Sequence, residues 1–100
     1  MKVAVFTGIR DLEVCEQLMP VLERPGDVLL QIETVGVCGS DIHYYKEGCI
    51  GGQVIEHPAT LGHECAGTVV EVGSVVAGLE AGQRVAIDPA ISCGQCDQCQ

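Results

Sequence analysis

Apolar and polar positions along the chain divide it into short segments with a β period. Lys2 to Phe6 is mostly apolar and ends at Thr7-Gly8, and Leu12 to Met19 follows the polar corner Arg10-Asp11. The spacing predicts two strands joined by a turn. After Pro20 and Pro25-Gly26, Asp27 to Val35 alternates: Val28, Leu30 and Ile32 fall on one face, Gln31 and Glu33 on the other, as expected of a half-buried strand. Gly39 to Glu47 reads as a short helix that starts just after Cys38, with Ser40 and Asp41 as its polar cap. Gly48 to Thr60 has no sustained period and is expected to be an exposed loop containing His57. Strands resume at Ala66 to Val72, where Val70 and Val72 alternate against Glu71, and again at Arg84 to Ile87. Several short strands with glycine-rich corners predict a mainly β, partly barrel-like domain.

Composition narrows the class. The 100 residues, 47% of them hydrophobic, suffice for one small domain and not for two. Five Lys and Arg against fourteen Asp and Glu give a net charge of −9, which argues against nucleic acid or an anionic membrane as partner. The apolar runs are short, and Met1-Lys2-Val3 does not lead into a signal-peptide core, so a cytoplasmic location is expected. No Gly-x-Gly-x-x-Gly stands between a strand and a helix.

Seven cysteines are many for such a chain, and Cys93, Cys96 and Cys99 cluster at its end. In a reducing compartment, tight spacing points to metal ligation rather than to disulfides. Cys15, Cys49 and Cys65 have no partner pattern and read as small apolar or incidental thiols.

Two constellations bear chemistry. The first joins Cys38-Gly39-Ser40-Asp41-Ile42-His43 to Gly62-His63-Glu64-Cys65-Ala66-Gly67, with Gly73 beyond. A thiolate, an imidazole and a carboxylate suit a catalytic zinc ion, which takes three protein ligands and keeps a fourth position open; Cys38, His63 and Glu64 supply those three. Asp41 is placed to hold the other ring nitrogen of His63, and Ser40 with His43 offers a proton path from the cluster to solvent. Against this stands the plainer reading of a small buried thiol and a surface or core histidine. The second constellation, Cys93-x-x-Cys96-x-x-Cys99, supplies three of the four ligands of a closed structural zinc site. It also matches the start of an iron–sulfur run, a reading that leaves Gly62-His63-Glu64 unexplained.

Together these motifs resemble the zinc-containing medium-chain alcohol and polyol dehydrogenases: Gly62, His63, Glu64, Gly67 and Gly73 fit the family's Gly-His-Glu pattern. The resemblance covers nearly the whole chain, from Pro25-Gly26-Asp27-Val28 to Ala81-Gly82-Gln83-Arg84, and Cys38-Gly-Ser-Asp-Ile-His-Tyr-Tyr is most similar to sorbitol and xylitol dehydrogenases. It implies that residues 1–100 form the first part of a GroES-like, partly open barrel, the N-terminal part of the catalytic domain, ending inside a structural-zinc lobe that starts near residue 88. A Rossmann domain would follow, outside this chain. The implied activity is oxidation of a secondary alcohol of a polyol with hydride transfer to NAD or NADP. Glu64 would lie on or beside the zinc, Tyr44 near the substrate, and Ser40 and His43 on the proton path. Cys93, Cys96 and Cys99 would hold the structural zinc with a fourth ligand further on. Relatives of this kind are commonly homodimers or homotetramers. On this reading the chain alone is expected to be inactive. A non-catalytic zinc module, a butanediol- or threonine-type dehydrogenase and an iron–sulfur carrier remain the alternatives.

Overall fold

The computed structural model describes residues 1–100. Strand β1 (Lys2–Gly8) pairs antiparallel with β2 (Asp11–Glu16) as a hairpin. Strand β3 (Val28–Gly36) leads into helix α1 (Gly39–Glu47), which stops at Gly48 in the left-handed conformation. Then come β4 (Cys49–Ile50), β5 (Gln53–Val54), β6 (Glu64–Val72) and β7 (Arg84–Ala86). The sheets are β1-β2, β3-β6-β7 and β4-β5, all antiparallel. The mainly β architecture agrees with the sequence pattern, and the strands form an open arrangement rather than one closed sheet.

Four expectations are corrected. The apolar pattern carries the second strand to Met19. The strand stops at Glu16, opposite Lys2, the first residue of β1, and one further backbone hydrogen bond, from the Gln17 N–H to the Met1 carbonyl at 2.8 Å, closes the ladder. The stretch from Gly48 to Thr60 is not a plain loop. Gly51-Gly52 turns the β4-β5 hairpin, and Ala59 pairs with Phe6 through two backbone hydrogen bonds of 2.8 and 3.0 Å. His57 is exposed as expected, yet its Nδ1 lies 3.2 Å from the Phe6 carbonyl.

The third correction concerns alternation. Leu29 pairs with Glu71 and Leu30 with Val69, so Val70 is an extra residue in β6; likewise Glu33 is extra in β3 between the Ile32–Gly67 and Thr34–Ala66 pairs. Each bulge shifts the side-chain phase by one residue. Val69 is therefore the buried residue, 1% exposed, whereas Val70 is 49% exposed, and Ile32 lies largely open. The fourth concerns the helix cap. Ser40 lies inside the first turn, Cys38 is the capping residue, and the Asp41 carboxylate accepts the Cys38 N–H at 3.0 Å, the return half of a capping box.

The buried hydrophobic core is Val5 and Val69. Much of the fold therefore rests on backbone ladders and close strand contact. Gly67 and Gly73 show why the motif needs glycine there: a Cβ at Gly67 would collide with the Gln31 backbone, and one at Gly73 with the Pro25 carbonyl. No helix is long and apolar enough to cross a membrane.

Candidate metal centre

The cluster is assembled by three elements. Cys38 stands at the junction of β3 and α1, His63 just before β6, and Glu64 on the first residue of β6. Strand β6 begins two residues earlier than the sequence pattern suggests, and antiparallel pairing sets Glu64 opposite Gly36, two residues before Cys38. One potential ligand atom from each of Cys38, His63 and Glu64 lies within 4.8 Å of the others. Cys38 and His63 are half-buried and Glu64 is exposed, so the cluster has an open side.

Asp41 ties the two halves together. It is 9% exposed; one carboxylate oxygen accepts the Cys38 N–H and the other lies 3.6 Å from His63 Nδ1. The sequence puts Asp41 behind His63, and the structure shows the two side by side. With Nδ1 turned toward Asp41, Nε2 is the nitrogen left for a ligand role. A soft sulfur, an imidazole nitrogen and a carboxylate oxygen in mutual reach fit a zinc ion with an open coordination position.

Two residues that sequence reasoning does not single out matter to this geometry. A Cβ on Gly36 would lie 2.8 Å from Glu64 Oε2 and 3.0 Å from its Cβ, so the missing side chain leaves the Glu64 carboxylate its place. A glycine inside a strand pattern is the sequence signal for such close approach. Tyr45, not Tyr44, makes the tertiary hydrogen bond of the tyrosine pair: its hydroxyl donates to the Arg10 carbonyl at 3.0 Å. Tyr44 is half-buried, Ser40 half-buried and His43 exposed. No side-chain hydrogen bond joins these three to the cluster; Ser40 and His43, three residues apart, share one helix stripe.

Near the cluster, Asp41 also lines an apolar cavity of about 420 Å³ with Phe6, Val35, Ile42 and Tyr45. Cys38, His63 and Glu64 do not line it.

The second group, Cys93, Cys96 and Cys99, sits in an exposed run of turns with its sulfur atoms within 4.8 Å of one another. Cys93 and Cys99 are 3.7 Å apart at sulfur, and the Cys99 N–H donates to the Cys96 carbonyl at 2.9 Å. Backbone N–H groups of Gln95 and then Cys96, with the thiols of Cys96 and Cys99, hold the Cys93 thiol down to about 7 from an ordinary 9.0. Three converging sulfurs fit a thiolate-loving ion such as zinc, and need one more ligand to close a tetrahedron. Cys15, Cys49 and Cys65 are half-buried and stand outside both groups.

Comparison with known proteins places this geometry. The family model described as the alcohol dehydrogenase GroES-like domain matches residues 24–100. A sorbitol dehydrogenase of Bacillus subtilis (strain 168) is 45% identical over 101 residues, covering 100% of this chain and 28% of that protein. A probable D-xylulose reductase A of Neosartorya fischeri is 43% identical over 96 residues, covering 96% and 27%. Among solved structures, galactitol-1-phosphate dehydrogenase from Escherichia coli superposes with a TM-score of 0.86 at 33% identity, over 99% of this chain and 28% of that one. The chain thus spans under a third of the length of these relatives.

Proposed function

Because the chain belongs to the alcohol dehydrogenase GroES-like domain family, we propose that it contributes the catalytic metal centre of a zinc-dependent dehydrogenase that oxidises a secondary alcohol of a polyol to a ketone, the hydride being accepted by NAD or NADP. The observation that carries this reading is the convergence of Cys38, His63 and Glu64, with Asp41 braced between the first two. The similarity to a sorbitol dehydrogenase and a D-xylulose reductase supports a polyol over other alcohols.

Cys38, His63 and Glu64 would hold the ion, which when bound supplies a positive charge that polarises an alcohol oxygen and favours loss of its proton. Asp41, 3.6 Å from Nδ1, would keep the His63 ring oriented with its other nitrogen toward the ion. Ser40 and His43 would carry the alcohol proton along their shared helix stripe to solvent, and Tyr44 would contact the substrate. The nicotinamide site is assigned to the part of such a dehydrogenase that residues 1–100 do not cover. Cys93, Cys96 and Cys99, in a lobe from about residue 88, would hold a structural zinc with a fourth ligand from outside these positions.

Metal analysis of the chain purified without chelators tests the ligand set. About one zinc that is lost in both Cys38→Ser and His63→Ala is expected at the catalytic centre. Zinc content indifferent to both substitutions overturns it. Assay of an enzyme of the relatives' length tests the substrate: turnover of 2,3-butanediol or threonine with none of sorbitol or xylitol overturns the polyol reading.

A further inference from the structure

The turn that joins β1 to β2 is built onto α1. Arg10 stands at φ 61, a left-handed conformation unusual for a residue with a side chain. Two hydrogen bonds to one partner hold it there: the Arg10 N–H donates to the Tyr45 carbonyl at 2.7 Å, and the Tyr45 hydroxyl donates to the Arg10 carbonyl at 3.0 Å. The Tyr45 ring packs on Phe6 of β1 at a centroid distance of 5.7 Å. The Ile9 side chain lies over Gly48, where a Cβ would meet it at 3.2 Å. The C-terminal end of α1 is thereby clamped to the hairpin.

The same helix carries Asp41 at its other end. Asp41 and Tyr45 are four residues apart and so share a helix face, and both line the apolar cavity. A helix of nine residues is too short to hold itself in place, so its orientation has to come from contacts with other elements. Rotation of α1 that releases Tyr45 from Arg10 carries Asp41, together with Cys38 at the start of the same helix, away from the His63 ring.

We propose that Tyr45 is a positioning residue for the Cys38–His63–Glu64 cluster: by clamping α1 to Arg10 it keeps Cys38 and Asp41, at the other end of the helix, in place against His63. The effect on metal affinity rests on the metal-centre reading above; the clamp itself can be read without metal. Tyr45→Phe removes one oxygen and leaves the ring against Phe6. In the chain carrying Cys93→Ser, Cys96→Ser and Cys99→Ser, cobalt(II) titrated through its thiolate absorption is expected to bind Tyr45→Phe about two- to tenfold more weakly, the range set by one neutral hydrogen bond. Without metal, exchange of the Arg10 amide proton, which donates to the Tyr45 carbonyl, is expected to speed up by a similar factor. Phe6→Leu is the comparison, because it loosens the same hairpin and spares the Tyr45–Arg10 hydrogen bonds; it lowers the melting temperature and leaves cobalt affinity in place. Tyr45→Phe with unchanged cobalt affinity overturns the proposal, whatever the Arg10 exchange does. So does a Phe6→Leu variant that loses as much affinity as Tyr45→Phe, since Tyr45 would then act through general stability alone. If the parent chain takes up no cobalt through Cys38 while Tyr45→Phe still speeds Arg10 exchange, the metal-centre reading fails and the clamp stands.

Discussion

Asp41 and His63 meet across two elements, with a carboxylate oxygen of the helix residue 3.6 Å from Nδ1 of the residue that precedes β6. Because the other oxygen of Asp41 accepts the Cys38 N–H, a single buried side chain fixes the spacing of the segments that carry Cys38 and His63, far apart in sequence. Removing it leaves all three proposed ligands present but unbraced. Asp41→Asn keeps an acceptor for Cys38 and discards the charge facing His63, and it should weaken cobalt or zinc binding about 10- to 100-fold. Competition with a chromophoric chelator measures this, and an affinity equal to that of the parent chain would show that Asp41 serves only the helix start.

Gly36 predicts a steric effect on a ligand that it does not itself provide. An alanine there meets both the far oxygen and the Cβ of Glu64. The oxygen can swing aside, but the Cβ is fixed by β6, so the strand pair must spread. Gly36→Ala is expected to cost about 1–3 kcal/mol of stability as an overpacked contact. If Glu64 is a ligand, metal affinity falls as well. Gly62→Ala, as a neighbouring glycine whose Cβ would meet only Val35 at 3.5 Å, but which stands at φ 116, should destabilise through backbone strain instead. Urea unfolding paired with metal titration separates the two, and an unaltered Gly36→Ala protein would refute the close approach.

What can be read from the sequence follows from local chemistry. The positions of the main strands, the helix after Cys38, the clustering of Cys38, His63 and Glu64 and the pairing of Asp41 with His63 all arise from short-range pattern or from the motif. What cannot be read depends on partners distant in the chain. Ala59 acquires its strand character only from Phe6, and the end of β2 is set by where β1 begins. The Gly51-Gly52 hairpin does have a local signal, since paired glycines suit a tight turn, but the flanking strands are two residues each. Only the family resemblance sets Tyr44 apart from Tyr45 in the sequence; that Tyr45 is the one tied to the hairpin depends on helix phase and on the approach of the Arg10 carbonyl.

Cys93 gives a pH dependence. Its thiol is held near 7 by the N–H groups of Gln95 and Cys96, so the thiolate is the favoured form above that value. A lowered pKa means that the thiolate contributes its full hydrogen bonding above pH 9.0 and loses it as the pH falls through about 7. Metal-free chain treated with iodoacetamide should therefore alkylate at Cys93 with a midpoint near pH 7, and, if the three cysteines hold zinc as proposed, added zinc should suppress the reaction, because the thiolate that attacks is the one that would bind the ion. Mass spectrometry of the modified peptide across pH reads both effects. A midpoint near 9 would show that the Gln95 and Cys96 amides do not face the sulfur.

The bulge at Val70 makes a prediction opposite to simple alternation. Alternation from Val72 puts Val70 in the core and Val69 outside; the pairing of Leu30 with Val69 and of Leu29 with Glu71 reverses this, and Val69 is 1% exposed against 49% for Val70. Val69→Ala removes two buried methyl groups from a core that has few other members. The transfer term and the cavity together should cost about 2–3 kcal/mol. Val70→Ala, on an open surface, should stay within about 0.5 kcal/mol. Urea midpoints at constant slope compare the two directly. The reverse order would mean that β6 pairs without its bulge, so that the whole segment from Val69 back to Glu64 would slip by one residue against β3 and the proposed carboxylate ligand would move to the other face of the sheet.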